Sequence, residues 1–172
     1  MNLVVNDASL LFDLLDIGLI DDFCQLPYQK SLTDAVLDEF DEETFRGYKQ
    51  VFEKGLLTVY YLTADQVNKV KELKKVHSAT LSFPDCSCLF LAKELSAILL
   101  TGDKALRKTA RAGKIKVHGT LWVLDQLLKE NIISYKKAHR KLSLLMQINR
   151  RLPRIECNKR LHAWASRFGK RQ

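Results

Sequence analysis

The sequence has few residues that interrupt a chain. Three prolines and seven glycines in 172 residues leave no stretch that reads as a long flexible linker. No internal repeat or low-complexity tract is visible, so a stacked-repeat or disordered chain is not expected. Cysteine is scarce too. Cys24, Cys86, Cys88 and Cys157 form no C-x-x-C pair, and Cys86 and Cys88 share no helix face with a histidine. The four histidines (His77, His118, His139 and His162) are scattered without metal-ligand spacing. A zinc site is therefore not expected, and packed, reduced thiols in a cytoplasmic protein are. There is no G-x-G-x-x-G, no Walker loop and no nucleophile elbow. The apolar opening MNLVVNDASLLFDLLDIGLI contains Asp7, Asp13 and Asp16 and no basic leader. It reads as neither signal peptide nor membrane span.

What is present fits a single globular domain. The apolar content is 47%, and a chain of this length buries about 70% of its unfolded surface. Charge is divided unevenly. Residues 1–100 carry 9 Lys+Arg against 16 Asp+Glu, a net of −7, and residues 101–172 carry 19 against 4, a net of +15. A basic half suits a polyanion, nucleic acid first. A surface for an acidic protein, or plain solvated charge, accounts for the same numbers.

The hydrophobic pattern predicts alternating strands and helices. The run Asn2–Val5 ends at Asn6-Asp7-Ala8-Ser9, and Leu10, Leu11, Leu14, Leu15 and Ile17 follow at helical spacing up to Gly18. A weak strand is expected around Lys30–Thr33. A helix capped by Thr33 or Asp34 follows it, with Val36, Leu37 and Phe40 inside and Glu39 in its first turns. Leu56–Leu62 reads as a strong strand, and Thr63-Ala64-Asp65 opens a helix through Lys75. Pro84-Asp85 opens another helix, since proline suits a first turn and an acid there complements the helix dipole. Ala97-Ile98-Leu99-Leu100, apolar at every position, suits a strand buried on both faces. Thr101-Gly102-Asp103 turns the chain into a helix over 104–112. Ile115–Val117 is a short last strand. Helices are expected from Gly119-Thr120, from Ser134, and, after Pro153, over about Asn158–Phe168. Trp122 is expected in a core. Trp164 and Phe168 lie on the basic last helix, suited to packing or to stacking a base.

This alternation calls for an α/β fold, a three-layer α/β/α sandwich around a parallel sheet of about five strands. Right-handed crossovers bring all carboxyl ends of the strands to one edge, where α/β proteins bind ligands. Asp7 and Asp103 follow strands directly, and the helices carrying Glu39 and Asp85 start near the same edge. Asp38 is an alternative to Glu39. Each acid alone has an ordinary role as a turn or cap residue. Four carboxylates together repel one another unless a cation lies between them. An all-oxygen set suits Mg²⁺ or Mn²⁺, and such ions serve phosphodiester hydrolysis. Arg107 and Arg111, one helical turn apart beside Asp103, together with Lys104 are the candidate phosphate contacts of a nucleic acid, with solvated helix charge as the alternative.

The segments VVNDAS with Asp7, VLDE with Glu39, LSFPD with Asp85 and LLTGD with Asp103 occur in an order and spacing that resemble the PIN-domain ribonucleases. The likeness runs over about residues 1–125. HGTLWVLDQLLKENIIS is similar to the branch containing VapC-type toxins. The chain is expected to form a PIN-like nuclease domain over 1–150, followed by a basic helical extension over 151–172 that the resemblance does not cover. The resemblance implies an Mg²⁺ or Mn²⁺ pocket, RNA cleavage, frequent homodimers and often a small antitoxin partner. Carried over by position, Asp7, Glu39, Asp85 and Asp103 would be the metal-binding and catalytic residues, supported by Ser9 and Thr101. The sequence departs from the family after Asp103. Many members place a further acid there, whereas this chain has Lys104, Arg107, Lys108 and Arg111. A smaller ligand set fits one ion or weaker binding. A second reading is therefore an inactive PIN-like module that binds RNA or protein. A Mg²⁺ phosphohydrolase or receiver-type domain would have paired acids after the first strand, which Asn6-Asp7-Ala8-Ser9 does not supply.

Overall fold

Short apolar runs pair into one fully parallel sheet. Its strands are β1 (Leu3–Asn6), β2 (Gln29–Thr33), β3 (Thr58–Tyr60), β4 (Ile98–Leu100) and β5 (Val117–His118), in the order β3-β2-β1-β4-β5. The computed structural model describes residues 3–168. Its helices are α1 (Ala8–Asp16), α2 (Ile20–Cys24), α3 (Asp34–Leu37), α4 (Glu42–Glu53), α5 (Ala64–Val76), α6 (Phe83–Glu94), α7 (Lys104–Ala112), α8 (Thr120–Lys129), α9 (Tyr135–Ile148) and α10 (Arg154–Ala165). The register sets Val5 between Ser31 and Leu99, and Val4 between Lys30 and Ile98.

Side chains alternate across a strand, so neighbours along β1 and β4 enter different cores. Val5 and Leu99 join the core beneath α4, α5, α6 and α7, whereas Val4 and Leu100 join the core beneath α2, α8, α9 and α10. Both faces of the sheet are thus covered, which is why its central strands β1 and β4 read as nearly continuous apolar runs. The strand order reverses between β1 and β4. Asp7 leaves one of these strands and Asp103 follows the other.

Several elements differ from the sequence reading. The segment 56–62 gives only three strand residues, at the edge of the sheet, and its Tyr61 is 70% exposed. The last strand is Val117–His118 rather than 115–117. Helix α3 is a single turn that ends at Leu37, so Glu39 lies in the turn after it. Helices α2 and α4 have no counterpart in the sequence reading. Yet Thr44, Tyr48 and Val51 on α4 are buried at helical spacing, masked in the sequence by the acidic run in which it starts. Helix α10 begins immediately after Pro153, earlier than expected. Trp122 is half-buried, stacked on His118 with ring centroids 4.6 Å apart. Trp164 and Cys157 are buried in the second core. Gly18 takes the left-handed conformation (φ 59°) that closes α1, as its position in the sequence suggests.

Lys30 is a buried cation at the amino-terminal part of the sheet. Its Nζ donates to the carbonyls of Cys24, Leu26 and Tyr28 at 3.1, 2.8 and 2.9 Å, so it replaces regular backbone pairing in the turn that leads into β2. Lys30→Met keeps the volume and removes all three donors. The expected loss, from carbonyls left without partners, is about 2–3 kcal/mol by urea denaturation. An unchanged midpoint would show that water replaces the ammonium without cost.

Candidate active site

Asp7 is the centre of a hydrogen-bonded staple between the two strands at the reversal. The Ser9 hydroxyl, on the first turn of α1, donates to Asp7 Oδ2, and Thr101 Oγ1 donates to the same oxygen at 2.7 Å. Ser9 Oγ in turn accepts from the Gly102 amide at 2.9 Å, and Thr101 Oγ1 accepts from the Asp103 amide at 3.0 Å. The turn after β4 is thereby fixed to the start of α1. Asp7 Oδ1 has no hydrogen-bond partner among the described residues. Asp7 is only 3% exposed, and burial raises its pKa. The Ser9 and Thr101 hydrogen bonds oppose that rise, while the charges of Asp85 and Asp103 add to it.

The other carboxylates are set by ordinary helix chemistry. Asp85 Oδ2 accepts from Ser82 N at 2.7 Å and Ser82 Oγ at 2.8 Å, completing a capping box at the start of α6. Asp103 Oδ1 accepts from Leu106 N at 2.7 Å and caps α7. The Thr33 and Ser87 hydroxyls, 2.6 Å apart, tie α6 to β2. The capping role of Asp85 and Asp103 and their place at the carboxyl edge are thus compatible, because each cap uses one oxygen. Glu39 stands exposed on the rim. Its carboxyl is pushed up to about 7, by desolvation first and then by the charges of Asp7 and Asp85.

Asp7, Glu39, Asp85 and Asp103 line one cleft of about 700 Å³, and Ser9 lines it with them. Asp38, the alternative to Glu39, is not among its walls. Among the described residues, none of the four carboxylates is paired with a lysine or arginine. Nor do any three acid, histidine or cysteine side chains among those residues stand in a geometry that could hold a metal ion. In donor chemistry the set still fits a hard divalent cation: it is all oxygen, its charges repel, and no lysine or arginine is paired with it among the described residues.

The structure separates the three basic candidates. Lys104 is exposed at the start of α7 and lines neither this cleft nor the pocket next to it. Arg107 is half-buried and donates from Nη2 to the Thr101 carbonyl at 2.7 Å, so it braces the staple from behind. Arg107 and exposed Arg111 both line the neighbouring pocket.

The sequence reading passed over Asp13, Asp16 and Asn149–Arg151, which also line the cleft. Asp13 is 6% exposed and accepts from Thr120 Oγ1 at 2.7 Å and Asn149 Nδ2 at 2.9 Å. An aspartate among Leu10, Leu11 and Leu14 was the available signal. Its partners come from distant parts of the chain.

The raised carboxyls have a consequence for stability without metal. Between the ordinary glutamate value of 4.5 and about 7, Glu39 is ionised in the unfolded chain and still protonated in the folded one. Stability therefore falls as pH rises through that window and levels off above it. Because Glu39 is exposed, the expected fall is on the order of 1 kcal/mol, and buried Asp7 adds to it in the same direction. Urea midpoints measured in chelator between these pH values should show the decline, and Glu39→Gln should flatten it. An identical pH profile in the variant would contradict the shift.

These features define a class: an α/β domain whose acids gather where the order of its parallel strands reverses. The chain belongs to the PIN-domain family, whose model matches residues 3–166. PIN domains are in general nucleases, typically with divalent metals. The protein PAE2754 from Pyrobaculum aerophilum, solved as a crystal structure, shares the fold. Its TM-score is 0.56 at 16% sequence identity, and the match covers 74% of this chain and 98% of that one. Among curated proteins, no sequence matches the chain. Among the described residues, no helix is long and apolar enough to cross a membrane.

Proposed function

We infer that the protein is a metal-dependent endoribonuclease that hydrolyses RNA phosphodiester bonds, working as the toxin of a toxin–antitoxin pair in the cytoplasm. The observation that carries this reading is the meeting of Asp7, Glu39, Asp85 and Asp103 in one cleft, none of them paired with a lysine or arginine among the described residues. Asp7, Asp85, Asp103 and Glu39 would hold Mg²⁺ or Mn²⁺. When bound, the ion supplies charge neutralisation for the phosphate and acidifies a water. Ser9 and Thr101 fix one oxygen of Asp7 and leave the other toward the cleft. Glu39, on the rim of the cleft, would be placed to take the proton released when water attacks phosphorus. The basic half of the chain supplies attraction for the polyanion. A small antitoxin protein and a second copy of the chain are the proposed protein partners.

One observation favours a second reading, a PIN-like module that binds RNA or a protein without turnover: no three ligands are already grouped around one point among the described residues. A cleavage assay separates the two. Single-stranded RNA is expected to be cut with Mn²⁺ or Mg²⁺, not in chelator, and Asp85→Asn should reduce the rate by roughly two orders of magnitude. Binding that is indifferent to chelator, with no cleavage under any metal, would establish the second reading.

A further inference from the structure

Beside the carboxylate cleft lies a smaller pocket of about 230 Å³, between α7, the start of α8 and the turn joining α9 to α10. Asp13, Gly102, Asn149 and Arg151 line both spaces, so the two adjoin. The charge character changes across this shared wall. Arg107, Arg111 and Arg151 face the smaller pocket. Arg160 also lines it but is engaged by Asp125, with Nη2 to Oδ2 at 2.7 Å, and by Glu156. Among the described residues neither Arg111 nor Arg151 has an acidic partner within ion-pair distance, and buried Arg107 Nε has no hydrogen-bond partner.

The walls of this pocket are fixed. Arg107 is held through Thr101 O, and a side chain on Gly119 would collide with its guanidinium and crowd the Thr101 carbonyl. The turn that carries Arg151 is fastened through Asn149 to Asp13, which also holds Thr120 at the start of α8. One wall is aromatic: the His118 ring lies parallel to Trp122, 8° between planes. Burial, with Arg107, Arg111 and Lys116 nearby, lowers the pKa of His118, so at neutral pH it presents an uncharged ring.

We propose that this pocket binds the nucleotide next to the scissile phosphate, its phosphate on Arg111 and Arg151 and its base against His118. Cations unpaired among the described residues, beside a flat, neutral ring, match those two parts of a nucleotide. The residues shared with the cleft set this pocket directly beside the carboxylates, as a neighbouring nucleotide requires. This rests on the nuclease reading only in calling the neighbouring phosphate scissile.

The test is binding of a short fluorescent single-stranded RNA in chelator, where nothing is cut, as a function of salt. Arg111→Gln and Arg151→Gln are each expected to weaken binding about tenfold and to reduce the logarithmic salt slope by about one. His118→Ala should weaken binding with the slope unchanged. Lys108→Gln, exposed on the same helix outside the pocket, should lose much less affinity. The proposal is overturned if the two arginine variants bind as the wild type does. It is also overturned if Lys108→Gln loses as much as they do, or if inorganic phosphate competes as well as a nucleoside monophosphate. Cleavage by the wild type with all variants unaffected would remove the pocket and leave the nuclease. The expected binding losses without cleavage by the wild type would do the reverse.

Discussion

Asp7→Asn is expected to abolish divalent-dependent RNA cleavage while making the metal-free protein more stable. Asp7 is buried, and burial is the largest cause of its raised pKa. At neutral pH the folded chain must either keep a proton that water would take or desolvate a charge. Asparagine retains an oxygen for the Ser9 and Thr101 hydroxyls and removes the ionisation. The expected gain is about 1–2 kcal/mol, which for a chain of this size is about 2–4 °C in Tm per kcal/mol. It should vanish in acid, where aspartate is protonated whether the chain is folded or not. Activity should move the other way. A metal ion contributes several kcal/mol of charge stabilisation in the transition state, so removing a charged ligand should cost on the order of a thousandfold in rate. The wild type should gain thermal stability from Mn²⁺, and the variant little or none. A variant that is both less stable and fully active would show Asp7 to be structural, and the proposed chemistry would not survive.

Trp164→Ala should produce the largest loss of folding stability. Trp164 is 6% exposed, lies near the end of α10 and packs into the core beneath that face of the sheet. Replacing such a side chain leaves a cavity as well as losing burial, typically about 3–5 kcal/mol. Calorimetry should record a Tm lower by on the order of ten degrees. Phe168→Ala is the matching control. Phe168 is 44% exposed and meets His139 edge-on, so its loss should stay within about 0.5 kcal/mol. Were Trp164 a base-stacking residue, RNA affinity would fall and stability would hold. That result would contradict the packing described here.

The legibility of the sequence followed local pattern. Helix α7 was readable from Asp103 to Gly113 because a cap, an apolar stripe and a stop all lie within one segment. The strand at 29–33 was readable only weakly, since Lys30 and Ser31 interrupt it. The lysine is tolerated there because a turn upstream offers it three carbonyls. Glu39, expected within a helix, lies in the turn beyond it. A helix of one turn has too few residues to show a period, so the sequence could not mark its end.

The candidate site divides along the same line. Asp7, Asp85 and Asp103 occupy positions that local rules identify: the end of a strand, the third residue of a helix, a cap. Their grouping also follows from the parallel order of the strands, which alternation alone implies. Asp13, Asn149 and Arg151 are different. Nothing near them in the chain states what they touch, because Asp13 meets Thr120 and Asn149 only after α8 and α9 have packed on the far side of the sheet.

The sequence by itself therefore determined the layers, the parallel edge and the acids upon it, since each depends on hydrophobic period and on residues close in the chain. Tertiary structure alone decided where the basic half comes to rest. Arg111 and Arg151 flank one pocket beside the carboxylates because two cores, filled from distant segments, dock α7 and the turn before α10 against the same end of the sheet.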